Sequence, residues 1–126
     1  MLEVDKQSRV PVYEQLIERI ENLILHGIWM PKEQIPSVRM LSVELFVNPN
    51  TVQKAYNDLE RRGITASVPG VGRYVCENAV NILKREMKES LSDLQNIIEN
   101  YAKKGVSMDK IIDTVKETYQ KVLNKQ

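Results

Sequence analysis

Apolar positions in the first part of the chain recur at helical spacing. Val12, Leu16, Ile17, Ile20, Leu23 and Ile24 make one stripe, with Glu14, Glu18 and Glu21 on the other side. This pattern predicts an amphipathic helix from Pro11 to about His26. Pro11 suits a first helical position, and Gly27 supplies a left-handed stop. Residues 28–36 carry two prolines and read as an irregular connection in which Trp29 and Ile35 plug the core. Ser37, just after Pro36, is a natural N-cap for a second helix, because its hydroxyl can accept from an unpaired first-turn amide. Asn48 caps a third helix, with Pro49 at the position where a missing N–H costs nothing. The turn between them, near Phe46-Val47, contains no glycine. Two short helices so joined make a helix-turn-helix candidate.

After Gly63 the period changes to two. Ile64–Val68 and Arg73–Glu77 are short strand candidates around Pro69-Gly70-Val71-Gly72. Three helices followed by a hairpin are the order of a winged helix-turn-helix. A long helix is then predicted over 80–104, with Leu83, Met87, Leu91, Leu94, Ile98 and Tyr101 stepping by four, four, three, four and three residues. Gly105 ends it, and Ser107 caps a last helix whose stripe is Met108, Ile111, Ile112, Val115, Tyr119 and Val122. These are coiled-coil-like seams. The expected fold is mainly α with a small β-hairpin: a winged helix-turn-helix over 1–78 and a helical dimerisation tail, a two-helix hairpin, over 79–126. So short a hairpin cannot bury both stripes by itself. Pairing with a second copy is the economical solution, and folding back on the winged domain is the alternative.

Composition narrows the function. Hydrophobic residues at 42% suffice for a core, and no apolar run approaches the roughly 18 residues of a membrane span. The start, Met1 to Lys6, lacks the basic and apolar segments of a signal peptide. A single cysteine, Cys76, forms no internal disulfide and reads as a small apolar core residue, so a reduced, cytoplasmic setting is expected. The lone His26 sits in the last turn of its helix and suits the dipole there, and no metal set or cofactor loop is in sight. One histidine and one cysteine give no nucleophile–base pair, which argues against an enzyme.

The third helix carries the candidate chemistry. Val52, Ala55, Tyr56 and Leu59 share its inner face, while Asn50, Gln53, Lys54 and Asn57 share the outer, with Thr51 at the edge. Amides can bond adenine bidentately, and hydroxyls reach bases or phosphates. An amide-rich solvent face that reads nothing has the same composition. The formal net charge of +1 leaves the choice open, because nine cations face ten anions through Asn78. A phosphate-binding surface must therefore come from placement. Arg61 and Arg62 fit either phosphate contact or the helix dipole.

Residues 9–77 resemble the winged-helix domain of GntR-type bacterial transcription regulators. The matching segments are Pro11-Val12-Tyr13-Glu14-Gln15-Leu16, Gly27 to Pro31, Ile35-Pro36-Ser37-Val38-Arg39-Met40-Leu41, Ala55 to Gly63 and Gly70-Val71-Gly72-Arg73-Tyr74-Val75. Val47-Asn48-Pro49-Asn50-Thr51-Val52-Gln53-Lys54-Ala55-Tyr56 is similar to the YtrA-like subfamily in particular. The resemblance implies a homodimeric repressor acting on a double-stranded, inverted-repeat DNA operator. Within it, Ser37 and Arg39 would hold phosphate or bases. Asn48, Asn50, Thr51, Gln53 and Lys54 would lie in or beside the major groove, with Gly72 and Arg73 as the wing's contact. The wing departs from the family by lacking basic residues before its glycines. Larger members carry an effector domain after the wing, for which this chain leaves no room, and no residue set here names an effector. A winged-helix adaptor that binds protein rather than DNA is the rival reading.

Overall fold

The computed structural model describes residues 2–125. Its elements are α1 (Val12–Leu25), β1 (Gln34–Ile35), α2 (Val38–Leu45), α3 (Pro49–Arg61), β2 (Thr65–Val68), β3 (Gly72–Val75), α4 (Ala79–Lys103) and α5 (Met108–Asn124). The chain divides into two compact units between Glu86 and Met87.

In the first unit three helices pack around one core. Leu16, Ile20 and Ile24 of α1 meet Leu41 of α2 and Val52, Ala55, Tyr56 and Leu59 of α3, all essentially without solvent contact. Trp29 and Ile35 do plug this core. The expected caps form: Ser37 Oγ accepts from the Met40 amide at 3.1 Å, and Asn48 Oδ1 from the Asn50 amide at 2.8 Å. Pro11 stands one place earlier than expected, at the N-cap of α1.

Helix ends repeat one device. At α1, Ile28 N–H donates to Leu23 O at 2.8 Å across Gly27, which has φ +74°. At α3, Ile64 N–H donates to Leu59 O at 2.9 Å across Gly63. This is the Schellman closure, and its pivot residue must be left-handed. At α2, Val47 N–H donates to Ser42 O at 3.0 Å in the same way, but the pivot is Phe46, at φ 55°. Phe46 as a residue is 84% exposed.

The sheet has three strands in the order β1-β3-β2, all antiparallel. The hairpin β2–β3 was expected, and β1 is an addition. Its two residues pair Gln34 with Tyr74 and Ile35 with Arg73. So short a strand leaves no period to read, although Pro36 already biases Ile35 toward an extended backbone. The N-terminal lead is tied down against α1. Buried Gln15 accepts from the Asp5 amide at 2.8 Å and donates to the Asp5 and Val10 carbonyls. Leu2 and Val4 pack against the core beside it. Cys76 is only half-buried, short of the core position expected for it.

The first two turns of α4 belong to this unit. Ala79 and Leu83 are buried in its core, so Leu83 is not the free start of an interface stripe. In the second unit, Met87, Leu91, Leu94, Ile98 and Tyr101 of α4 and Ile112, Val115, Tyr119 and Val122 of α5 are exposed, with Ile111 half-exposed. No residue of α5 is buried within the single chain.

Candidate nucleic-acid interface

The outer face of α3 starts at its N-terminus, where Asn48 spends its side-chain oxygen on the cap and leaves its amide NH2 unassigned. Asn50 and Lys54 are exposed, with Thr51 and Gln53 partly so. Gln53 Nε2 donates to Asn57 Oδ1 at 2.7 Å, so these two amides, one turn apart, hold each other in a fixed orientation. The pair still offers the Gln53 oxygen and the Asn57 NH2 outward, a donor and an acceptor of the kind that an adenine edge requires. Lys54 Nζ lies 3.8 Å from the ring centroid of Tyr13 on α1. That cation–π contact fixes the ammonium without neutralising it. Tyr13 is therefore part of the surface, a role that its place on the side of α1 did not announce.

A second group gathers at the start of α2. A concavity of about 700 Å³ is lined by Gln34 to Met40 together with Gly72 and Arg73. It brings Ser37, Arg39 and Gly72 together from separate stretches of sequence. Arg39 is exposed and makes no ion pair among the described residues. Gly72 has a packing reason of its own. Its φ is +133°, and a Cβ there would lie 2.6 Å from Gln34 Nε2 on the neighbouring strand.

Arg73 departs from its expected place. Instead of projecting beside the wing tip, its side chain is 18% exposed and its guanidinium carbon lies 5.2 Å from the Tyr56 ring centroid. The reason is strand alternation on β3. Arg73 shares its face with Val75, which is buried, so it points toward α3 rather than outward. Tyr56 in turn donates its hydroxyl to Pro36 O at 2.8 Å. Burial pushes its ionisation well above the ordinary tyrosine value, although the charge of Arg73 pulls the other way.

Three acids near the C-terminal end of α3 are engaged within the unit, whereas Glu44 lines a shallow concavity with Arg39 and Glu14 accepts from the Tyr13 hydroxyl at 3.2 Å. Arg62, at the C-terminal cap of α3, binds Glu21 of α1, Asp58 of α3 and Glu86 of α4, the last through Nη2 at 2.6 Å. Burial opposes the charge on this guanidinium, but the hydrogen bonds it donates to Glu86, Glu21 and Asp58 outweigh that and hold Arg62 firmly protonated. Arg61 pairs with Asp58 at 2.8 Å. Both arginines are thus engaged inside the unit. Asp58, the one of these carboxylates on α3, lies eight residues from Asn50, or roughly 12 Å along the helix, and four from Lys54. Burial, then the charge of Glu60, raise the Cys76 thiol. Among the described residues no group of side chains could hold a metal ion, and no helix is long and apolar enough to cross a membrane.

Comparison with known proteins gives four findings. Residues 12–75 match the profile of "Bacterial regulatory proteins, gntR family". The HTH-type transcriptional repressor YtrA of Bacillus subtilis is 38% identical over 118 residues, covering 93% of this chain and 91% of that one. Among solved structures, a GntR family transcriptional regulator from Listeria monocytogenes aligns with TM-score 0.68 and 33% identity, covering 90% of this chain and 98% of the other. The DNA-binding domain of AraR in complex with operator ORR3 aligns with TM-score 0.52 and 30% identity over 60% of this chain and 92% of that one.

Proposed function

This chain belongs to the gntR family of bacterial regulatory proteins and is a DNA-binding transcription regulator, and from that premise we propose how it works. Two copies pair through the exposed stripes of α4 and α5 and occupy an inverted-repeat operator, and occupancy represses by blocking polymerase. It acts in the cytoplasm and catalyses no reaction.

The observation that supports this most directly is the outer face of α3. It presents oriented amides, the start of α2 carries an arginine in no ion pair among the described residues, and Glu21, Asp58 and Glu86 are taken up by Arg62. Asn50, Thr51 and Gln53 read base edges, helped by Asn57. Lys54, Ser37 and Arg39 hold phosphate, and the Asn48 NH2 and the Gly72 backbone approach the duplex from either side. This division gives salt-dependent affinity from the cations and selectivity from the amides. It also explains how a unit with as many acids as bases can bind DNA. The wing tip itself, Val68 to Val71, brings no charge.

The test is a titration of the purified protein against DNA from upstream of its own gene and against random duplex, at several salt concentrations. Two chains per site and a marked preference for the upstream DNA are expected. Lys54→Ala should reduce the salt slope by about one phosphate contact, whereas Asn50→Ala should mainly erode discrimination. A double variant that binds as the unaltered chain does would favour a protein-binding adaptor instead.

A further inference from the structure

Arg73 and Tyr56 lie together behind the surface formed by α2, α3 and the wing: Tyr56 is fully buried, and Arg73, one of the residues lining the concavity, has a side chain only 18% exposed. Arg73 stands on the middle strand of the sheet, opposite Ser67 of β2 and Ile35 of β1. Its Nη1 is shut off from solvent and has no hydrogen-bond partner, with Glu60 Oε2 its nearest anion at 4.0 Å. The other oxygen of the same carboxylate accepts from the Ser67 amide at 2.8 Å. Glu60 lies on α3 and Ser67 on the wing, so this carboxylate joins the two, and Arg73 sits between it and the Tyr56 ring. A cation so enclosed is tolerated only where its surroundings hold it, because burying charge without compensation is strongly unfavourable. Tyr56 extends the chain of contacts to Pro36, the residue before the cap of α2.

We propose that Arg73 is a positioning residue, not a DNA contact: with Glu60 and Tyr56 it struts the wing against the recognition helix α3. The reader of the minor-groove flank and the reader of the major groove are thereby held at a fixed separation before DNA arrives. Arg73 gives no counterion-releasing contact with phosphate. Its contribution to binding is that the wing need not be ordered when the complex forms. This rests on the DNA-binding role given above.

The difference between a strut and a phosphate hook is measurable. Arg73→Met keeps the length and apolar body of the side chain and removes the charge, while Glu60→Gln removes the anion and leaves an oxygen for the Ser67 amide. The DNA used is the duplex that the unaltered chain selects from a random pool. For both variants the strut predicts an unchanged slope of log affinity against log salt and affinity weaker by up to roughly tenfold. Hydroxyl-radical footprints should lose protection in the minor groove beside each half-site and keep it in the major groove. Without DNA, amide hydrogen exchange at Ser67 should quicken in Arg73→Met. A slope shallower by about 0.9 in Arg73→Met, with Glu60→Gln unaffected, identifies a phosphate contact and overturns the proposal. Unchanged exchange at Ser67 overturns it equally. Failure of the unaltered chain to select any duplex would instead remove the DNA-binding reading, and the exchange experiment would still decide whether the strut exists.

Discussion

Single side chains here carry two kinds of work, and Tyr56 shows both. It is fully buried in the core and also donates to Pro36 O, so it ties α3 to the opening of α2. Burial raises its ionisation above the ordinary value of 10.0, so the folded chain keeps the proton that the unfolded chain releases. The stability contributed by the neutral hydroxyl is complete below about pH 10 and is lost as the pH rises beyond it. Tyr56→Phe should remove that alkaline loss in denaturant titrations run from neutral pH upward, at a cost of about 1 kcal/mol near neutrality for the missing hydrogen bond. The inward face of Tyr56 was legible from helical period alone, and so were the caps Ser37 and Asn48. Arg73 was not placed correctly, because charge and nearby glycines suggested a surface role. The signal that would have placed it was parity, since it alternates with Val75 on a strand whose inner face is apolar. Asn57 was visible on the outer face, but its bond to Gln53 required geometry.

Elements keep their bounds through their ends, and α2 ends differently from its neighbours. The left-handed pivots of α1 and α3 are glycines, whereas α2 turns on Phe46. A bulky side chain in that region carries backbone strain of order 1–2 kcal/mol. The bond from Lys6 Nζ to Phe46 O, at 2.5 Å, lends the turn outside support. Phe46→Gly should therefore stabilise the first unit by about 0.5–1 kcal/mol, allowing for the entropy a glycine loses on folding, and thermal unfolding would show it. A midpoint lower than that of the unaltered chain would mean that the ring is held by contacts stronger than the strain. The sequence showed this turn by its place between two caps and showed that glycine was missing, but not the conformation taken instead. The long helices were plain from their stripes. β1 was invisible because two residues hold no pattern, and its existence depends on β3 being near.

At the scale of the whole molecule, the apolar stripes of α4 and α5 stand open within one chain. Leu94 and Val115 are each close to half exposed, so replacing either leaves the packing of the single chain intact. Leu94→Glu and Val115→Glu should both shift sedimentation from dimer to monomer and weaken operator binding, with thermal unfolding of the winged unit unchanged. Retained dimers in both variants would put the subunit interface elsewhere. The heptad-like spacing made these faces readable from sequence. Leu83 belonged to the same stripe by spacing, yet it is buried with Ala79 in the winged unit, because a helical period does not say which core claims each turn.

An α5 that buries nothing alone also has a consequence for control. A regulator that must pair before it reads its operator answers to the square of its own abundance while monomers predominate. Halving the amount of protein would then cut the number of competent readers about fourfold, as mass action requires. Small changes in synthesis or degradation thus become sharp changes in output. In the proposed dimer, the bare helix face would set the gain of the circuit.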